Sequence, residues 1–483
     1  IGYWGDHQIV YLLRLLEGWN RHDPGGITSM LSSDIFSYAD VPYRLKPYAD
    51  ILANPSDTID FDTAKADRAE KRVEERGADG KLVTGPDGEI LHVNLLEKLL
   101  VPALSKLSNL VPGGGIWMNT QRPEWNDANN ALAGGGISVV TLCYLRRYLS
   151  FMVDLLDKTD DTALKVSSEV ADWFADLNAV FGDETNLLGA DPIGAGDRKR
   201  VMDALGAAFE RYRAAAYDRG LTGRTDLSLS EVVTFCRTAL AFTDASIAAN
   251  RREDGLFHTY NVLEIADDGS GADIMRLQEM LEGQVAVLSS GMLSPAASLG
   301  VMEKLFASRM YRPEERSFLL YPERVLPGFL DKNNVPAAKV AGVGLLENLL
   351  AAGDSSLLTR DINDGLHFHG DLQCADDVAA VLDDLAEQPK WTAAVARDRG
   401  AVLDLFEDTF NHKSFTGRSG TMYGYEGLGC IYWHMVSKLL LAVQEVLVDT
   451  DPADLKPELR DDLTRMYFRV RAGIGYEKTV QEY

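Results

Sequence analysis

The chain has 483 residues, 46% of them hydrophobic, and 73 acidic side chains outweigh 48 basic ones for a net charge of −25. That apolar content excludes a disordered chain. The acidic balance, with no basic stripe, excludes nucleic acid and an anionic membrane surface as partners. Apolar runs are broken by charge well short of the roughly 20 residues needed to span a bilayer.

Read from the N-terminus, the chain opens with Ile inside an aromatic stretch, which reads as the continuation of a longer protein. Leu12, Leu15, Leu16 and Trp19 repeat at helical spacing. Residues 62–92 form a polar insert: a charged helix, then a hairpin with its turn at Asp87-Gly88. Val139, Leu142, Leu145, Leu149 and Val153 predict a helix, and the same spacing predicts helices over 163–181, 199–217, 230–249, 274–288, 296–310, 375–387, 394–410 and 428–448. Ser228 with Glu231 has capping-box spacing, and Ser294-Pro295 places a cap before a first-turn proline. Strand patterning is sparse, with one further short candidate at 316–321.

No repeat of fixed period is visible. About twelve helical segments separated by long linkers fit two concentric layers of six better than a tight bundle. Residues 136–153 and 428–448 read as inner helices and 199–217 as an outer one. The expected fold is all-α: an (α/α)6 barrel, a six-hairpin toroid, with a small β-hairpin insert, forming a single catalytic domain over 1–483. Cys143, Cys236, Cys374 and Cys430 are too scattered for a disulfide framework or a zinc site. They read as core residues, and as free thiols they favour the cytoplasm.

Three loops carry residues that helices do not need. Gly2-Tyr3-Trp4-Gly5-Asp6-His7-Gln8 precedes the first helix. Residues 113–136 hold two triple-glycine runs around Trp117, Asn119, Gln121, Arg122, Glu124, Trp125, Asn126, Asp127, Asn129 and Asn130. Residues 417–434 include Arg418, Ser419, Tyr423, Tyr425, Glu426 and His434. Aromatics mixed with amides and carboxylates suit a sugar: the ring face stacks on Trp or Tyr, and the hydroxyl rim meets polar donors and acceptors. Glycines let backbone approach a ligand.

Cleaving a glycosidic bond with inversion needs an acid to protonate the leaving oxygen, and a base to activate water or else phosphate as the nucleophile. Asp127 and Glu124 are the acid candidates, since Trp125 beside them lowers the local dielectric and favours a protonated carboxyl. Glu426, between Tyr425 and Gly427 at the head of an apolar helix, is the base candidate.

These residues resemble those of the (α/α)6-barrel carbohydrate enzymes, most of all the cellobiose and chitobiose phosphorylase family. That family's Asp-Trp-Asn-Asp-Gly loop carries the acid at its second Asp. Glu124-Trp125-Asn126-Asp127-Ala128 matches it, so the resemblance gives Asp127 the acid role. The family's motif before the first barrel helix is matched more loosely by residues 2–8, with Asp6 gripping the sugar. Its phosphate-holding Thr-Gly-Ser-Ala-Gly-Trp stretch corresponds to Gly424-Tyr425-Glu426-Gly427-Leu428-Gly429. An acidic residue there repels phosphate and tips the expectation toward hydrolysis, as in glucoamylase-like inverting hydrolases, although Arg418 and Ser419 could still bind an anion. The chain is also similar to large bacterial proteins of this superfamily.

The sequence reading therefore expects an inverting glycoside hydrolase on an oligo- or polysaccharide, with Asp127 as acid and Glu426 as base. The alternatives are an inverting phosphorylase with inorganic phosphate as co-substrate, or a non-catalytic glycan-binding barrel. Substrate contacts are expected from Trp4, Asp6, Gln121, Arg122, Glu124, Trp125, Asn126, Arg418, Tyr423 and Tyr425. His258 and Tyr260 are added from a loop at the barrel mouth, and His367 and His369 from an Asp-Gly-Leu-His-Phe-His-Gly-Asp run. The His-x-His spacing lacks a third ligand, so neither a metal nor another cofactor is assigned. No Gly-x-Ser-x-Gly elbow, His-Glu-x-x-His or nucleotide fingerprint is present.

Overall fold

The computed structural model describes residues 6–55, 57–119, 132, 134–159, 162–190, 192–322, 328–411, 431–453, 455–479 and 481, with side chains from Ile9 onward except that of Tyr476. The chain divides into two compact units, Ile1–Pro322 with Gly429–Tyr483, and Glu323–Leu428.

The first unit is mostly helical. Its longer helices are α1 (Asp6–His22), α2 (Thr63–Arg76), α3 (Leu95–Leu107), α4 (Val139–Leu156), α5 (Ser168–Asp183), α6 (Ala195–Asp218), α7 (Leu229–Ala248), α8 (Leu281–Ser289) and α9 (Pro295–Ala307). The second unit supplies α10 (Gly344–Ala351), α11 (Ala375–Ala386) and α12 (Thr392–Phe410). The chain then returns to the first unit with α13 (Trp433–Asp449) and α14 (Pro457–Arg471).

Side-chain caps set several starts. Ser138 accepts from Thr141 N at 3.0 Å, Ser228 from Glu231 N at 3.4 Å and Ser294 from Ala297 N at 3.2 Å. Each satisfies a donor that the first turn leaves without a partner. α4 packs against α1, α3, α7 and α8, while α8 also packs against α13. α5 and α6 pair through Trp173, which stacks on Phe209 and Tyr212 with ring centroids 5.0 and 4.2 Å away. The apolar faces of these helices merge into one large core.

Several sequence expectations are corrected. α3 is a helix that periodicity did not find, because Pro102 in its interior reads as a break. Only two of its residues escape full burial, and even Glu97 and Lys106 are buried. The predicted helix at 163–181 begins as a strand, β6 (Ala163–Ser167), which pairs antiparallel with β7 (Arg224–Ser228). The predicted helix at 274–288 likewise contains the end of β9 (Ala272–Arg276) before α8 starts.

Nor is the β-structure limited to a hairpin insert. Within 62–92, α2 is followed by a turn in which Gly85 N donates to Glu89 O at 2.8 Å and Gly88 adopts φ +81°. Two small antiparallel pairs flank the helices: β1 (Tyr43–Leu45) with β2 (Ile59–Phe61), and β10 (Tyr311–Arg312) with β11 (Ser317–Phe318). In addition, β3 (Leu110–Val111), β4 (Gly115–Trp117), β5 (Gly136–Ser138), β8 (Tyr260–Ile265) and β9 form a five-stranded antiparallel sheet in the order 3-4-5-8-9. β3, β4 and β5 are two or three residues long and buried throughout, so they show no alternation for a sequence reading to detect.

The second unit has its own core. α10, α11 and α12 enclose Leu345, Leu349, Val378, Leu382, Val402 and Phe406. The antiparallel pair β12 (Leu358–Arg360) and β13 (Leu366–Phe368) adds Phe368, which meets Phe406 edge-on at 5.0 Å. Cys143 and Cys236 are buried as expected, while Cys374 is only half-buried. Among the described residues no helix is long and apolar enough to cross a membrane.

Candidate active site

The first unit encloses a cavity of about 410 Å³ among α1, α4, α8, the end of β8 and α13. Helical spacing aims one stripe of each helix into it: Val10, Tyr11 and Arg14 from α1; Val140, Thr141, Tyr144 and Arg147 from α4; Glu282, Val285 and Ser289 from α8. Met435, Lys438, Leu441 and Glu445 complete it from α13, with His434 and Tyr432 at that helix's start and Tyr260 from β8. Three of these helices, α1, α4 and α13, are the ones that directly follow the three loops singled out in the sequence.

The cavity floor is a four-charge network. The Arg147 guanidinium donates to Glu17 at 2.6 and 3.0 Å and to Glu445 at 2.7 and 3.2 Å. Its Nη1 also donates to the Ser289 carbonyl at 2.9 Å. Arg14 reaches the same two carboxylates at 2.9 and 2.6 Å. Burial works against the Arg147 charge, but its bonds to Glu445 and Glu17 prevail and hold its pKa above the usual value. Burial likewise opposes the Glu445 charge, and Arg147 outweighs it, so that carboxyl sits below its usual range. Behind this floor lies a second cavity of about 380 Å³, toward the C-terminal ends of the same helices, and Arg147, Ser289 and Glu445 face both.

Nearer the helix N-termini, Tyr260 Oη donates to Glu282 Oε2 at 2.9 Å. Burial lowers the pKa of Lys438, partly offset by Glu282, and burial together with Lys438 lowers that of His434. Burial pushes the Tyr144 hydroxyl up to about 12, keeping it a neutral donor. The lining carries three cations, Arg14, Arg147 and Lys438, against the carboxylates of Glu282 and Glu445. Glu17 and Glu445 meet Arg14 and Arg147, and Glu282 faces Lys438, so these charges balance in a protein of net charge −25.

The glycine runs of the second loop build its neck. Met118 N donates to Gly136 O, and Gly134 N to Met118 O, each at 2.8 Å. Trp117 Nε1 donates to Gly134 O at 2.7 Å. A Cβ at Gly115 would lie 2.7 Å from Ser138 O and one at Gly134 2.2 Å from Pro55 O, both at positive φ. These glycines therefore serve close backbone packing rather than approach to a ligand. The buried Arg198 and the half-buried Arg276 clamp the β3–β4 turn through the carbonyls of Pro112 and Gly113, at 2.9 and 2.8 Å. The neck leads into β5, where Ser138 pairs with Tyr260 and caps α4.

The sequence candidates divide accordingly. Tyr260 lines the cavity. His258 does not: its Nδ1 bonds the Leu277 carbonyl at 2.8 Å, and burial lowers its pKa. His367 and His369 belong to the second unit. His367 bonds the Asn333 carbonyl and Asp361, whereas His369 Nδ1 accepts from Asp371 N at 3.3 Å. Asp6 heads α1, one turn before Val10. Its side chain, with Trp4, Gln121, Arg122, Glu124, Trp125, Asn126, Asp127, Arg418, Tyr423, Tyr425 and Glu426, lies outside the described residues. No cluster of three or more metal-ligating side chains occurs among the described residues. Sequence reasoning missed Arg14, Arg147, Glu282, Lys438 and Glu445. Their signal is a charge set within an otherwise largely apolar helix.

Comparison with known proteins bears on the second unit. Residues 326–413 match the family model of GH149 phosphorylase insertion domain 2. The matched span falls within the compact unit Glu323–Leu428, so the region similar to an insertion domain also folds around its own core. The match supports a glycoside phosphorylase family and a carbohydrate substrate. A search of curated proteins finds no match to this chain.

Proposed function

We propose that the protein is an inverting glycoside phosphorylase built on an (α/α)6 barrel, with the helix-lined cavity of the first unit as its sugar site. The observation that carries this reading is the match of residues 326–413 to a phosphorylase insertion domain. It moves the preferred nucleophile from water to inorganic phosphate.

In this reading Asp127 protonates the glycosidic oxygen as the bond to the anomeric carbon breaks. A phosphate oxygen forms the new bond from the opposite face, giving a sugar 1-phosphate of inverted configuration and a shortened saccharide. Asp6 and the residues around Trp125 hold the cleaved sugar. Phosphate arrives already ionised, so no general base is needed.

Hydrolysis with Glu426 as base is the second reading, favoured by the acidic residue at the position where the related family holds phosphate. The deciding experiment incubates the protein with gluco-oligosaccharides with and without inorganic phosphate and follows sugar 1-phosphate by ³¹P NMR. Phosphate-dependent sugar 1-phosphate is expected. Phosphate-independent release of reducing sugar would select hydrolysis instead.

A further inference from the structure

Glu282 is 5% exposed and sits in the first turn of α8, so a carboxylate has been placed where burial penalises charge. Leu281, Val285 and Ala286, on the same helix, are buried apolar residues. The fold supports the carboxylate. Tyr260, 2% exposed and fixed in β8 by pairing with Ser138, donates to it at 2.9 Å. Lys438, on the helix packed against α8, contributes an attractive charge. The same cavity offers apolar surface from Val10, Val140 and Met435 beside the ring of Tyr144.

We propose that Glu282, aimed by Tyr260, is the residue by which this cavity selects a sugar: it accepts hydrogen bonds from one or two adjacent ring hydroxyls of a pyranose. A carboxylate offers about four acceptor positions, so it can accept from adjacent hydroxyls while keeping its bond to Tyr260. Because those hydrogen bonds are to a charged group in a desolvated pocket, a sugar lacking the hydroxyl, or presenting it axially instead of equatorially, binds more weakly. The α8 backbone and β8 are regular elements, so the acceptor is held in place before the sugar arrives. This inference rests on the sugar reading of the cavity given above and adds the group that distinguishes one sugar from another.

The test measures binding by calorimetry in phosphate buffer. D-glucose, D-galactose, D-mannose and N-acetylglucosamine are titrated first, and then the monodeoxy forms of whichever binds tightest. In the wild type, removal of one or two particular hydroxyls is expected to weaken binding by roughly 10- to 100-fold. In Glu282→Gln the penalty at those positions should shrink to a few-fold while the other positions keep theirs, and Tyr260→Phe should reduce the same penalties less. A merely structural role would weaken all the sugars together and leave their ratios unchanged; that result overturns the inference. So does a wild type that binds none of the four sugars or discriminates no hydroxyl. Circular dichroism checks that each variant folds, and Tyr260→Phe carries the test if Glu282→Gln does not. A protein with the expected hydroxyl pattern but no sugar 1-phosphate would reject the phosphorylase reading and leave this one standing.

Discussion

Arg147 and Glu445 face each other from α4 and α13, joined by two hydrogen bonds of 2.7 and 3.2 Å, and together they separate two cavities inside the helical unit. Glu17 and Arg14 complete the network from α1, so four charges from three helices brace the floor of the proposed sugar site. Such a group is costly to break, because removing one member leaves largely desolvated partners uncompensated.

Arg147→Met should therefore destabilise the protein by about 3–5 kcal/mol, since Glu17 and Glu445 would both lose their main counter-charge. Urea denaturation of the variant and the wild type checks the figure. Adding Glu445→Gln to Arg147→Met should recover part of the loss. A double variant less stable than Arg147→Met alone would show that the two side chains act independently.

Gly134→Ala should also destabilise, by roughly 1–3 kcal/mol. The new Cβ would meet Pro55 O at 2.2 Å in a backbone at φ +93°. Since Gly134 O accepts from Trp117 and Gly134 N donates to Met118, beside the stretch that holds Asp127 in sequence, turnover should fall with stability. Thermal melting and sugar 1-phosphate release from the same preparation would show both.

Asp127→Asn should lower phosphorolysis by about 10²-fold or more, by removing the proton donor. Glu426→Gln should leave phosphorolysis within a few-fold of wild type, since phosphate needs no base. A loss in Glu426→Gln as large as that in Asp127→Asn would point back to water as the nucleophile. Both rates are read from sugar 1-phosphate production.

The second unit should show a distinct pH response. The Asn333 carbonyl and the Asp361 carboxylate raise the pKa of His367, and His367 in turn holds the Asp361 carboxyl below its usual range. A histidine raised above its unfolded value of about 6.5 contributes stability in full below that pH and loses it as pH rises through the folded value. The Asp361 contribution is present above about pH 4 and lost on acidification, so the pair is strongest between the two. NMR titration of the His367 ring should give a midpoint above 6.5. Unfolding of the second unit should become easier as pH rises above about 6.5, a trend that His367→Gln should flatten.

Much of the helical framework was legible from spacing and caps. Ser228 and Ser294 mark helix starts where the structure has them, and α7, α9, α11 and α12 lie close to their predicted spans. Pro102 hid α3, and the doubly buried strands β3, β4 and β5 hid the sheet, because neither leaves a periodic signature. Of the cavity lining, the sequence reading had named Tyr260 and the loops that precede three of its helices. Glu282, Arg147 and Lys438 were not named, since a charged side chain within an apolar helix looks the same whether it faces solvent, a partner or a cavity.

What the sequence determined by itself was local: where helices begin, which faces are apolar, and which stretches mix aromatics with amides and carboxylates. Those depend on neighbours three or four residues apart. The tertiary structure alone decided that residues as distant as Arg14, Arg147 and Glu445 share one ionic network, and that Tyr260 aims Glu282 into a cavity. Such pairings depend on how helices pack across hundreds of residues, and the burial that makes a charge costly or useful exists only after that packing is complete.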